Sequence, residues 1–188
     1  MTSIFFVRHA QPDENCIDDR TRPLTSQGLT DCQEVTRTLA GSQIDKIISS
    51  PYRRSFDTIT GIAKAHGIEI STDERLRERK NGIKTTESLL EKRWSNFDFC
   101  EEGGETIGSV QQRNVEAIKE ILQQYGNKNV VIGTHGTALS SIMNYYDPSC
   151  GCDWFKKIWF QMPYIIRLDF DGQTLMGSEE LLSIERGY

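Results

Sequence analysis

Ile4-Phe5-Phe6-Val7-Arg8-His9-Ala10 is the stretch on which the fold turns. Four apolar residues in a row, bounded by polar ones, read as a strand buried on both faces. In an open α/β sheet, ligands sit just beyond the carboxyl ends of such strands, and Arg8 and His9 fall there. An imidazole in that place serves as nucleophile, base, metal ligand or hydrogen-bonding core residue. Taken alone, this stretch favours the plainest reading, a polar pair closing a strand.

Asn129-Val130-Val131-Ile132-Gly133-Thr134-His135-Gly136 shifts the balance, because it repeats the plan: apolar strand, histidine, then a small residue opening a helix. The chain has 3 histidines, and two of them follow buried-strand patterns in the same way. The third, in Ala65-His66-Gly67, sits at a helix end before a capping glycine, where a cation suits the dipole, and reads as structural.

Outward from these two strands the pattern alternates. Gln11 to Pro23 is a polar loop, and its Arg20 and Arg22 either meet an anionic substrate or lie solvated. A helix follows, capped by Thr25 or Ser26 and ended by Gly41. Ile44 to Ser50 is the second strand. Pro51 opens a helix over Tyr52–His66, with Arg53 and Arg54 in its first turn. These neighbours lie about 100° apart around a helix, so one at most points squarely at a site. Ile68 to Ile70 reads as a short sheet element. Arg75 to Gly82 reads as a charged loop. Leu89 to Gly104 shows no strict period and reads as irregular or partly helical, within a lid or specificity insertion at about 81–104. Helices are expected over Glu105–Tyr125, Gly136–Tyr146 and Trp154–Phe160, and Asp171-Gly172 joins a closing hairpin at one sheet edge. The sum is one α/β domain over residues 1–188, a three-layer α/β/α sandwich on a mostly parallel central sheet. Both histidines then share one cleft.

Composition excludes several classes. A net charge of −5 gives no nucleic-acid surface. The amino terminus lacks a charged region ahead of its short apolar run, and no run approaches a membrane span. The expectation is a cytoplasmic protein, a monomer or homodimer. The 5 cysteines are odd in number and scattered, which argues for reduced thiols. Cys150-Gly151-Cys152 lacks a second Cys or His pair at zinc-site spacing. No metal set is convincing, because arginines beside the two histidines repel a cation. No glycine-rich nucleotide loop is present, and no cofactor is expected.

Arginine forks match phosphate oxygens. His9, His135, Arg8 and one of Arg53 or Arg54 therefore make a site for a phosphoryl group. A neutral His9 can attack phosphorus, the arginines neutralise the equatorial oxygens, and a carboxyl group is needed to protonate the leaving alkoxide.

These motifs, in this order, resemble the histidine phosphatase superfamily, which includes the cofactor-dependent phosphoglycerate mutases. Val7-Arg8-His9-Ala10 is similar to the family's Arg-His-Gly, and Pro23-Leu24-Thr25-Ser26-Gln27-Gly28 to its Pro-Leu-Thr-x-x-Gly. Ser50 to Thr58 resembles its Ser-Pro-Leu-x-Arg-Ala-x-Gln-Thr. Leu76-Arg77-Glu78 resembles Leu-Arg-Glu, Gly103 to Thr106 resembles Gly-Glu-Ser, and Thr134-His135-Gly136 resembles Ser-His-Gly. The resemblance implies a phosphoglycerate mutase-like fold, His9 as the phosphorylated histidine, Arg8 and Arg54 as phosphate-pocket arginines and His135 as the second pocket histidine. It also implies Glu78 as proton donor and Asn15 as a phosphate contact, with Thr25 mainly a helix cap and Glu105 mainly a helix-start residue. Ala10 stands where the family has glycine, Ser55 where it has alanine and Asp57 where it has glutamine. The mutases carry a longer insertion with basic residues that hold a bisphosphate, whereas this one has only Lys84, Lys92 and Arg93. The implied activity is thus a metal-independent phosphatase acting on a small phosphorylated metabolite. A phosphoglycerate mutase and a phosphate-binding module without turnover are the alternatives.

Overall fold

The computed structural model describes residues 1–187. Strand β1 (Thr2–Arg8) lies inside a mixed six-stranded sheet. The other strands are β2 (Lys46–Ser49), β3 (Ile70–Thr72), β4 (Asn129–Thr134), β5 (Gln161–Asp171) and β6 (Thr174–Glu185), in the order β3-β2-β4-β1-β5-β6. The first four in that order run parallel, while β5 is antiparallel to β1 and to β6.

The pleat explains the apolar run. Successive side chains on a strand point to opposite faces, so Ile4 and Phe6 enter one core and Phe5 and Val7 the other. Helices α1 (Ser26–Leu39) and α2 (Arg53–His66) cover the second face through Val35, Leu39, Ile59 and Ile62. Helices α4 (Ile107–Gln124), α5 (Gly136–Tyr146) and α6 (Cys152–Ile158) cover the first through Ile118, Ile121, Leu139, Ile142 and Ile158. Helix α3 (Glu87–Ser95) lies in the insertion, and Leu90 and Trp94 pack on Phe155 and Ile107. This is the expected α/β/α layering. No helix among the described residues is long and apolar enough to cross a membrane.

Helix ends follow local chemistry. Thr25, Thr86 and Thr106 each accept a backbone N–H at the start of α1, α3 and α4. Gly67, at φ 64°, ends α2 in the left-handed region. His66 lies one residue earlier, its ring 3.2 Å from the Leu39 carbonyl, in keeping with a structural role. Several boundaries differ from the sequence reading by a few residues, with β2 starting at Lys46 rather than Ile44 and α6 at Cys152 rather than Trp154. The third strand is Ile70–Thr72, displaced from 68–70, because Ile68 is drawn by its N–H into the α2 cap at Ala63. The closing hairpin joined at Asp171-Gly172 is β5–β6, with β6 at one edge of the sheet as expected and β5 inside it against β1.

Candidate active site

β1 and β4 pair in register up to Arg8 opposite Thr134, and the His9 N–H donates to the Thr134 carbonyl at 3.2 Å. The residues that follow both strands therefore emerge level. The His9 and His135 rings lie 5.2 Å apart at 60°. Next to β4 in the sheet, β2 delivers Ser50, whose N–H donates to the Gly133 carbonyl and whose Oγ lies 2.7 Å from His135 Nε2. The turn into α2 then presents Tyr52 and Arg54.

His9 is buried, and its Nδ1 lies 2.8 Å from the Ala10 carbonyl oxygen. A carbonyl only accepts, so Nδ1 carries the proton and the lone pair is on Nε2. Burial, followed by the positive charges of Arg54 and Arg8, holds the ring well below the ordinary imidazole value of 6.5. His135 is fully buried and is also held well below 6.5, by burial first and then by Arg54, His9 and Arg8. Both rings are neutral near pH 7. His135 therefore offers a hydrogen bond and no charge. Its Nδ1 has no hydrogen-bond partner among the described residues.

Arg8 is buried, and its Nη1 donates to the carbonyls of Ile158, Trp159 (2.9 Å) and Gln161 (3.1 Å) at the turn from α6 into β5. Its guanidinium runs beside the start of α5, where a Cβ on Gly136 would lie 3.3 Å from it. Arg54 is also buried. Its Nη1 donates to the Asp19 carbonyl at 2.5 Å and lies 3.1 Å from the Asp19 carboxylate, and its guanidinium stands 5.2 Å from the Tyr52 ring centre. Arg53 is exposed and pairs with Asp57, so the helix places Arg54, and not Arg53, at the site.

Glu78 receives three backbone N–H groups: Arg79 at 2.7 Å, Thr137 at 3.0 Å and Ala138 at 3.2 Å. Two of these are the open donors of the first turn of α5, a place suited to a carboxylate. The segment carrying Glu78 is braced from behind. Arg113 on α4 donates to the carbonyls of Arg75, Arg77 and Glu78, while Glu105 takes bonds from Arg113 and Arg77. Burial raises the Glu105 pKa, but those two arginines outweigh it and bring it down to about 2. Glu105 thus does more than begin a helix.

Arg8, His9, Arg54 and Glu78 line one cleft of about 1030 Å³, with the Glu14–Arg22 loop on one side and residues 79–94 on another. His135 packs behind His9. Asn15 does not join them. It is exposed, and its amide and its backbone N–H both donate to the Asp13 carboxylate, the local turn that short polar residues favour. Arg20 and Arg22 line the cleft, yet each is paired, Arg20 with Glu74 and Arg22 with Glu14 and Asp19. Arg79, read from sequence as part of a charged loop, is almost wholly buried. Glu101 bridges it to the equally buried Arg93, with both contacts at 2.7 Å. Burial raises the Glu101 pKa, but the Gly82 N–H and the two arginines hold it at about 2. Sequence reasoning also passed over Tyr52, whose ring edges onto His135 at 5.3 Å. Its place two residues after Ser50, at the end of β2, was the available signal.

The model of the histidine phosphatase superfamily, branch 1, matches residues 4–175. The chain is 26% identical over 174 residues to phosphoserine phosphatase 1 of Hydrogenobacter thermophilus, covering 85% of this chain and 81% of that one. It is 27% identical over 159 residues to a probable phosphoglycerate mutase of Proteus mirabilis, covering 77% and 74%. In fold it is similar to the phosphoserine phosphatase of Entamoeba histolytica crystallised with 3-phosphoglyceric acid, with a TM-score of 0.76, 21% identity, and 99% and 98% of the two chains covered. The chain belongs to the histidine phosphatase superfamily.

Proposed function

We propose that this enzyme hydrolyses phosphate monoesters without a metal ion, through a phosphohistidine on His9. The observation that carries the reading is the state of His9: neutral, its Nδ1–H held by the Ala10 carbonyl, in a cleft lined also by Arg8, Arg54 and Glu78. In the first step Nε2 attacks phosphorus and the P–O bond to the leaving group breaks. Glu78 takes up the proton of the phosphomonoester monoanion and passes it to the departing alkoxide. Arg8 and Arg54 neutralise the equatorial oxygens, and His135 adds a hydrogen bond. In the second step water attacks phosphorus, the P–N bond breaks, and Glu78 takes the proton. His9 is then neutral again and phosphate departs.

Hydrolysis is favoured over a mutase cycle by the insertion. A mutase must retain a bisphosphate, which calls for unneutralised basic groups over the cleft. Here the Arg93 charge is engaged by Glu101 and Lys92 stands over the Phe99 ring at 4.0 Å, which leaves Lys84 as the single basic group of the insertion open to the cleft. The test is a rapid quench with a 32P-labelled phosphomonoester in EDTA. Wild type is expected to yield an acid-labile, base-stable protein phosphate, and His9→Ala neither label nor released phosphate. Full turnover by His9→Ala would end the reading.

A further inference from the structure

The cleft that holds His9 and Glu78 continues into an apolar wall. Leu90 and Trp94 of α3, Ile107 of α4 and Phe155 of α6 are buried against one another, and all four border the cleft. At its rim two isoleucines face water from separate loops: Ile17 is 95% exposed and Ile83 57%. Exposed aliphatic side chains scattered singly need no explanation. Two of them on separate loops, both bordering the one charged cleft that a buried aromatic cluster also lines, give that cleft the apolar surface that marks a binding site. The arginines beyond the phosphate end are already engaged and give a charged substrate tail little to hold. Arg20 is paired with Glu74, Arg22 with Glu14 and Asp19, and the buried Arg79 and Arg93 share the one Glu101 carboxylate, so the basic groups left open at this end are the exposed Lys80 and Lys84. A volume of about 1030 Å³ also exceeds what a three-carbon phosphoester fills.

Resting on the phosphatase reading above, we infer that the preferred substrates are amphiphilic phosphomonoesters, in which an alkyl or aryl leaving group lies along Leu90, Trp94 and Phe155 and is covered at the rim by Ile17 and Ile83. The phosphate end is bound by charge and the leaving group by burial of apolar surface.

The experiment compares kcat/KM for ethyl, butyl and hexyl phosphate, in which the leaving oxygen has nearly the same acidity and only apolar length varies. O-phosphoserine serves as a charged comparator and p-nitrophenyl phosphate as the activity control. Transfer of a methylene from water is expected to raise kcat/KM about two- to fourfold, so hexyl phosphate should exceed ethyl phosphate by at least about tenfold and exceed O-phosphoserine as well. In Ile17→Ser/Ile83→Ser, two changes at exposed positions, the hexyl-to-ethyl ratio is expected to fall severalfold. A flat alkyl series with active turnover of p-nitrophenyl phosphate would overturn this inference and leave the phosphatase reading standing. So would a preference for O-phosphoserine, or an unchanged ratio in the double variant. Absence of turnover on every ester would overturn the phosphatase reading, and the inference with it.

Discussion

Burying two neutral histidines makes the stability of this protein depend on pH in a window where most proteins are indifferent. His9 and His135 are both held well below 6.5 in the folded chain, by burial first and by neighbouring arginines second. In the unfolded chain each takes a proton as the pH falls through about 6.5. Below that value the unfolded state therefore binds up to two more protons than the folded one, and stability drops on acidification. Between pH 7 and pH 5.5 each histidine removes about 1 kcal/mol, and the two together about 2–3 kcal/mol. The carboxylates do not confuse this window. Glu101 and Glu105 sit at about 2 when folded and begin to lose their contribution only as the pH nears 4.5, the ordinary glutamate value. The assay is urea denaturation at the two pH values, where the expected loss moves the midpoint by about 1 M. His9→Asn and His135→Asn should each remove about half of the pH response, whatever they do to stability at pH 7. A wild-type loss below about 1 kcal/mol, or a full response in both variants, would refute the claim that the rings are neutral.

Three further outcomes follow from the site. Glu78→Gln should lower kcat on hexyl phosphate by roughly 10²–10⁴-fold, while p-nitrophenyl phosphate, whose leaving group departs without a proton, should give a burst and then slow turnover; equal losses on both esters without a burst would remove Glu78 from proton transfer. Glu101→Ala leaves Arg79 and Arg93 buried without their carboxylate, a loss of about 3–5 kcal/mol that should appear as a thermal midpoint lower by roughly 10 °C. Asp19→Asn removes a carboxylate 3.1 Å from Arg54, and inorganic phosphate should then inhibit about two- to fivefold more tightly; unchanged inhibition would show that Asp19 does not compete for that arginine.

The parts of this structure legible in the sequence are those written in local periodicity. The apolar runs before His9 and His135 identify strands, and because such strands are buried and parallel their ends must meet. Arg54 was separable from Arg53 only through the family pattern, since the angle of about 100° between neighbours on a helix says that one at most reaches the site but not which. What escaped was long-range. Glu101 binds Arg79 across 22 positions and Arg93 across 8, and no periodic rule joins three charged residues in an irregular insertion. Burial of Arg79 was invisible for the same reason: a run of charge looks solvated until its partner carboxylate is known. Asn15 shows the converse error, a residue that fits a motif by spacing yet turns to its own neighbour, Asp13.

The order of strands in the sheet also has a consequence for synthesis. β1 and β2 come first from the ribosome, yet β4, some eighty residues further along, lies between them. A nascent chain that has made the first two strands therefore has two unpaired apolar edges and no means of closing them on each other. Such edges invite association with other chains. The catalytic groups lie on either side of that gap, so no shortened amino-terminal fragment carries a partial activity. Function should appear all at once, when the last inner strands slot into place, and because pairing over such a sequence distance is slow, those edges stay open until it happens.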